Sequence, residues 1–285
     1  MVHTIKLRVP AEFPGGGSEI DVHYITDLAL AHGYLKRLHE DALKSDDKIV
    51  GLDTESRPGT VGCAPELALV QLCSASMVVI VRVHGEACIP VEIVDIIKDE
   101  QLKKAGSSIG DDIVQLDSHF SLGLMLALVQ CHLIETQTLA IGNGVSPSAP
   151  GLGNVVDELF GYKLDKCASV RRCNWSRIDL PERNLRYAAM DAVASRAVAI
   201  KLTSEGGYSS PSLDSMEPKQ AWADSDEMAL ASPRVLLPVE EISGVLHVCK
   251  LCGARLPTVE SVIEHLYDFG HFKKGFECVA NFKCK

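Results

Sequence analysis

What the chain most lacks is a surplus of positive charge. Its 285 residues carry 28 Lys and Arg against 38 Asp and Glu, a formal net charge of −10. That balance argues against attraction to nucleic acid by bulk electrostatics, so any binding to a polyanion must come from basic residues grouped locally. A long hydrophobic run is also missing. The longest apolar stretch, 122–133, is interrupted by Gln130, Cys131 and His132 and falls far short of the roughly 20 residues that span a bilayer. It reads as a buried helix-to-strand segment, and no membrane association is expected. The opening Met1 to Pro10 has no apolar core of leader length, and no internal repeat is visible. Ten cysteines are present, six of them scattered irregularly before residue 204. These are expected to be small buried apolar side chains, which suits a reducing compartment, nucleus or cytoplasm. With 46% hydrophobic and 23% charged residues, the chain is an ordinary soluble one, long enough for one good-sized core and an appendage.

Acidic residues are not short in supply, and three short strings of them carry chemistry. In Lys48-Ile49-Val50-Gly51-Leu52-Asp53-Thr54-Glu55, an apolar β-prone run ends in two acids two positions apart, so Asp53 and Glu55 emerge from one face of a strand. Lys103-Lys104-Ala105-Gly106-Ser107-Ser108-Ile109-Gly110-Asp111-Asp112-Ile113-Val114-Gln115-Leu116 reads as strand, glycine turn and helix start, where one aspartate can serve as an N-cap. Arg186-Tyr187-Ala188-Ala189-Met190-Asp191 is helical, and the i,i+4 spacing sets Tyr187 and Asp191 on one face. Each string alone has a bland reading: a solvated loop, a cap, an aromatic at the edge of a core.

Taken in order, the three strings resemble the DEDDy family of 3′-5′ exonucleases, which includes the Werner-syndrome exonuclease domain and ribonuclease D. That family has Asp-x-Glu on its first strand, an Asp four positions before a Leu, and a Tyr-x-x-x-Asp helix. Ala68 to Cys73, Glu135 to Ala140 and Val170 to Ser176 match further stretches, and the likeness runs from about residue 20 to 203. The register selects Asp112, four residues before Leu116, over Asp111, which becomes a helix cap or a neighbouring charge. The resemblance implies a ribonuclease-H-like α/β fold, a mixed sheet flanked by helices, and hydrolysis of phosphodiester bonds at 3′ ends to nucleoside 5′-monophosphates. Asp53, Glu55, Asp112 and Asp191 would hold two Mg²⁺ or Mn²⁺ ions, and Tyr187 would orient the attacking water.

The chemistry accounts for those residue types. Four carboxylates in a partly dry cleft repel one another unless cations offset the charge. Hard divalent ions take oxygen ligands, and a pair about 3.5–4 Å apart clamps the attacking and leaving oxygens of an in-line displacement. By resemblance, Asp53 would bridge the pair, Glu55 and Asp191 would serve the nucleophile side, and Asp112 the leaving-group side. A phenol of ordinary pKa stays protonated at neutral pH, so Tyr187 positions rather than deprotonates. Ser56 follows Glu55 where relatives often carry an aromatic, which affects how the terminal base stacks. Arg57, Arg171 and Arg172 are the candidate phosphate contacts, and Trp175 is expected in the core.

Local patterning sketches the elements. Ile20 to Ile25 reads as a strand; Thr26 and Asp27 offer caps for a helix to about Ser45 with Leu28, Leu35 and Leu38 on its apolar side. The strand ending at Glu55, a strand around Leu69 and Met77 to Val83 form a meander. Gly144 to Gly153 is a loop and Leu152 to Phe160 a helix. Three parts are expected: an exonuclease domain over 1–204, a flexible Ser-, Pro- and acid-rich linker over 205–240, and a two-Cys two-His finger over 241–285.

The finger rests on Cys249-x2-Cys252-x12-His265-x5-His271, a sulfur-nitrogen set fit for one structural Zn²⁺. The five-residue gap between the histidines resembles matrin-type and snRNP-C-type fingers, which are associated with RNA. From Cys249 to Lys285 stand Lys250, Arg255, Lys273, Lys274, Lys283 and Lys285 against Glu260, Glu264, Asp268 and Glu277. This part is therefore positive where the remainder is acidic. The expected partner is nucleic acid with a free 3′ end, RNA favoured over DNA, with no protein partner identified. The alternative is an inactive exonuclease-fold adaptor that binds nucleic acid, but such a scaffold would be expected to have lost one of the four acids, and none is missing.

Overall fold

The computed structural model describes residues 1–59, 65–124 and 132–205, with two short strands at 247–248 and 255–256. The chain divides into two units, Met1–Gly207 and Tyr208–Lys285. The first is built on a seven-stranded sheet: β1 Val2–Arg8, β2 Glu19–Ile25, β3 Ile49–Arg57, β4 Glu66–Cys73, β5 Met77–Arg82, β6 Lys103–Gly106 and β7 Leu133–Glu135, in the spatial order β1-β2-β5-β4-β3-β6-β7. β3, β4 and β5 pair antiparallel as the expected meander, and β6 and β7 extend it with parallel pairings on the far side of β3. This is the mixed α/β sheet flanked by helices that the sequence implied.

One strand went unread. Val2–Arg8 alternates Ile5 and Leu7 inward against exposed Thr4 and Lys6, the half-buried pattern of a strand. It pairs antiparallel with β2 and closes that edge of the sheet. The expected helix after Asp27 is present in two parts: a 3₁₀ turn over Leu28–Leu30, capped by the Asp27 side chain, runs into α1 Ala31–Lys44. Leu35 and Leu38 are buried there, while Leu28 is only half-buried. α2 Val91–Lys98, α3 Ile109–Phe120, α4 Thr136–Gly142, α5 Leu152–Phe160 and α6 Ala168–Arg171 follow. α7, Glu182–Glu205, is the 24-residue helix that carries Tyr187 and Asp191.

α7 lies along one face of the sheet because both partners are small. It buries Ala188, Ala189, Ala192, Ala194, Ala197 and Ala199, and the strand beneath offers Gly51. A Cβ built at Gly51 would stand 2.0 Å from the carbonyl oxygen of Ala192, closer than any real contact. Glycine at this position is therefore what lets helix and strand approach. The same face of the sheet buries Ile49, Leu69, Cys73, Val78, Ile80 and Ala105 against the helix. Alternation sends Val50, Leu52, Val70, Leu72, Val79 and Val81, all fully buried, to the opposite face.

The expectation of buried cysteines holds only for Cys73 among the four described in this unit; Cys88 is exposed, and Cys167 and Cys173 are partly so. Trp175 is fully buried, as expected, with its indole N–H donated to the Arg171 carbonyl at 3.3 Å. Among the described residues no helix is long and apolar enough to cross a membrane. In the second unit, β8 His247–Val248 and β9 Arg255–Leu256 pair antiparallel, with Cys249 and Cys252 between them in sequence. Those cysteines, His265, His271 and nearly all of the 205–240 segment lie outside the described residues.

Candidate active site

Three of the four predicted carboxylates meet. Asp53 and Glu55 leave the same face of β3, and Asp191 comes down from α7, which Gly51 allows to sit close. An oxygen from each lies within 4.8 Å of the others. A β-bulge shifts the register with β4 between Glu55 and Ser56, where Ala68 is the extra residue, a common device for re-aiming side chains beside active sites. Asp112 is not one of the three that meet within 4.8 Å, but its charge bears directly on Asp53. From the first turn of α3 it accepts a hydrogen bond from Thr54 Oγ1 at 2.5 Å, and its Oδ2 is buried with no hydrogen-bond partner among the described residues.

The position of Asp112 follows from how α3 begins. A Cβ at Gly106 would meet the Leu52 carbonyl oxygen at 2.7 Å, so the glycine turn brings the helix start against β3. Ser108 is the N-cap residue, in a left-handed conformation (φ 61°) and without a side-chain cap bond. Asp111 is therefore no cap; it remains a charge beside Asp112. The capping is done by Glu135. Its carboxylate accepts from the Ile109 N–H at 3.2 Å and from the Gln137 N–H at 3.3 Å, so one side chain ties the starts of α3 and α4 together.

Electrostatically the site is overloaded with negative charge. Burial first, then the carboxylates of Asp112, Asp191 and Glu55, push Asp53 well above the ordinary carboxylate range. Glu55 is pushed up to about 8 by burial and then Asp191. Asp112 is raised by burial and by Asp111 and Glu135, against the opposing Thr54 hydrogen bond. Tyr187, buried over Trp175 with ring centroids 6.0 Å apart, has its phenol pKa raised by burial and by Asp191 and Glu55. It is firmly protonated.

One cation answers this charge directly, and sequence reasoning missed it. Lys166, in the loop between α5 and α6, places its ammonium 2.6 Å from Asp191 Oδ1 and 5.2 Å from the centre of the Tyr187 ring. Nothing local in Gly161 to Cys167 marks that lysine; only the fold brings it to Asp191. An open cleft of about 570 Å³ adjoins the site, lined by Asp53, Asp191, Lys163, Lys166, Arg171 and the start of α5 at Gly151 to Asn154. Arg171 is thus at the cleft, and its charge also bears on Glu55. Among the described lining residues Arg57 and Arg172 do not occur: Arg57 pairs with Glu66 at 3.1 Å across the bulged end of β3, and Arg172 is exposed.

The family model described as 3′-5′ exonuclease matches residues 22–206. Among curated proteins, the chain is 28% identical over 174 residues to mouse exonuclease 3′-5′ domain-containing protein 2, a match covering 59% of this chain and 25% of that protein. It is 29% identical over 164 residues to the mouse bifunctional 3′-5′ exonuclease/ATP-dependent helicase WRN, covering 57% of this chain and 11% of the relative. The matched part is thus a quarter or less of either protein's length. Among solved structures, the Aedes aegypti Nibbler EXO domain superposes with a TM-score of 0.54 at 21% identity, covering 70% of this chain and 93% of that one; this likeness bears on the fold.

Proposed function

The chain belongs to the 3′-5′ exonuclease family, and on that premise we propose that it hydrolyses phosphodiester bonds at nucleic-acid 3′ ends with two divalent cations, Mg²⁺ or Mn²⁺, releasing nucleoside 5′-monophosphates. The observation that carries this reading is the meeting of Asp53, Glu55 and Asp191 within 4.8 Å at the wall of an open cleft. Three acids so close, with Asp53 and Glu55 pushed up in pKa by burial and by the neighbouring carboxylates, form an arrangement that opposite charge relieves. The buried Oδ2 of Asp112 is a further acceptor with nothing among the described residues to accept from. Both features fit hard cations, which take carboxylate oxygens.

In this reading Asp53, Glu55, Asp112 and Asp191 would hold the cations, Asp53 serving both, Glu55 and Asp191 the nucleophile side and Asp112 the leaving-group side. When bound, the cations acidify the attacking water and neutralise charge developing on the scissile phosphate. The remaining work falls to the protein's own groups. Tyr187 keeps its proton, so it orients water by hydrogen bonding and does not abstract a proton. The Lys166 ammonium lies in the same cleft and would be available to phosphate oxygens once Asp191 serves a cation. Arg171 offers a planar two-pronged donor to the backbone further along. Thr54 holds Asp112, and Glu135 holds the helix that presents it. The retained ligand set speaks against an inactive scaffold.

RNA is the favoured substrate, on account of the C-terminal part. There Cys249, Cys252, His265 and His271 would hold one structural Zn²⁺; the short β8–β9 hairpin bracketing the two cysteines supports a knuckle at that point. With 205–240 as a tether, a positively charged finger adds a second contact at raised effective concentration. The test is digestion of single- and double-stranded RNA and DNA oligonucleotides, labelled at the 5′ end, with Mg²⁺ or Mn²⁺. Stepwise shortening from the 3′ end, lost in Asp53→Ala, is expected. Digestion that persists in the purified variant would overturn the assignment, and affinity for every substrate unchanged by removal of 240–285 would remove the finger's role.

A further inference from the structure

We propose that Gln71 is a positioning residue for the cation site, its carboxamide N–H donating to the Asp53 carboxylate and fixing the orientation in which that side chain meets the cations. The inference rests on the two-cation reading given above.

Gln71 is the polar exception on a strand that otherwise has every reason to be apolar. β4 runs Glu66-Leu67-Ala68-Leu69-Val70-Gln71-Leu72-Cys73, and from Leu67 onward every residue is buried. Leu69 and Cys73, two positions to either side, pack beneath α7, so alternation puts Gln71 on that face as well. Its side chain is fully buried, and among the described residues neither Nε2 nor Oε1 has a hydrogen-bond partner. An amide in that state is costly, and methionine or leucine would fill the same space without the cost. Its presence therefore asks for a partner that a different state of the site supplies.

The register names that partner. Gln71 stands directly opposite Asp53 in the antiparallel β3–β4 pair, and residues so paired project from the same face with Cβ atoms about 4.5–5.5 Å apart. The glutamine side chain is long enough to span that gap to a carboxylate oxygen once Asp53 takes its cation-holding orientation. Carboxylates that hold metals are themselves held by hydrogen bonds from behind, and loss of such a support costs about 10–100-fold in affinity. Here Thr54 serves Asp112, and the Lys166 ammonium sits on Asp191 in the cation's stead. Among the described residues no such bond reaches Asp53, the ligand that would be shared between two ions and so needs its orientation fixed most. Gln71 is the buried donor set opposite it.

The test uses the full-length protein, stripped with chelator, in calorimetric titrations with Mn²⁺ and in thermal melts. Gln71→Met keeps the volume and removes the amide. The expected result is a metal-free melting temperature equal to or above wild type, together with Mn²⁺ affinity weakened about tenfold or more. A role confined to packing would not separate the two readouts. If Gln71→Met folds poorly, Gln71→Leu makes the same separation. Wild-type affinity in a folded variant overturns the positioning role while leaving the function standing; failure of wild type itself to bind Mn²⁺ overturns the two-cation reading instead.

Discussion

Replacing Glu55 by Gln is expected to stabilise the cation-free protein at alkaline pH and to change it little near pH 4.5. Burial and the Asp191 carboxylate lift the Glu55 pKa from 4.5 to about 8. Between those values an unfolded chain has lost the proton that the folded chain retains. The folded state then binds more protons, and stability falls as pH rises through the window. At about 1.36 kcal/mol per pH unit, the interval from 4.5 to about 8 sets a ceiling of about 5 kcal/mol. Neighbouring acids redistribute part of that, leaving about 2 kcal/mol as the difference between variant and wild type. For a domain of this size each kcal/mol moves the midpoint by about 2–4 °C, so melts in chelator near pH 8.5 are expected to place Glu55→Gln about 4–8 °C above wild type. The gap closes toward pH 4.5. Saturating Mn²⁺ is expected to reverse the order, because the ions stabilise a Glu55 carboxylate that the variant lacks. Parallel curves for the two proteins across the whole range would refute the charge-overload argument.

Two further substitutions probe how the site is assembled. Gly51→Ala forces a methyl group against the Ala192 carbonyl, 2.0 Å from the position a Cβ would take; a loss of about 1–3 kcal/mol in denaturant melts is expected, with Mn²⁺ affinity falling as Asp191 moves away from β3. Wild-type stability would show that the close approach of α7 is dispensable. Lys166→Met removes the ammonium from Asp191 and is expected to destabilise the cation-free protein by about 1–2 kcal/mol, since the lysine side chain is 31% and the aspartate 11% exposed. Mn²⁺ affinity should rise because the ion no longer competes with the lysine, and nuclease turnover should fall; unaltered Mn²⁺ affinity would remove the competition argument.

What sequence could reveal followed periodicity and spacing. The Asp-x-Glu on β3, the Tyr-x-x-x-Asp on α7 and the helix over Leu152–Phe160 are local patterns, and they stand where the patterns put them. The N-terminal strand is equally local in its alternation, with Ile5 and Leu7 turned inward. Other features are properties of contacts distant in sequence. Lys166 meets Asp191 across 25 positions and Glu135 reaches Ile109 across 26; neither residue carries a local mark of its task. Arg57 reads as an exposed arginine beside a proline until the bulge after Glu55 sets it opposite Glu66. Ser108 displaces Asp111 from the cap because the tight turn after Gly106 demands a left-handed residue just before the helix.

The most direct test of the account is a count of divalent cations at the carboxylates. Titration of chelator-stripped full-length protein with Mn²⁺, followed by calorimetry and by the loss of the free-ion paramagnetic resonance signal, is predicted to saturate at two ions per chain and to lose both in Asp53→Ala. Saturation unaffected by that substitution, or no binding at millimolar Mn²⁺, would contradict it.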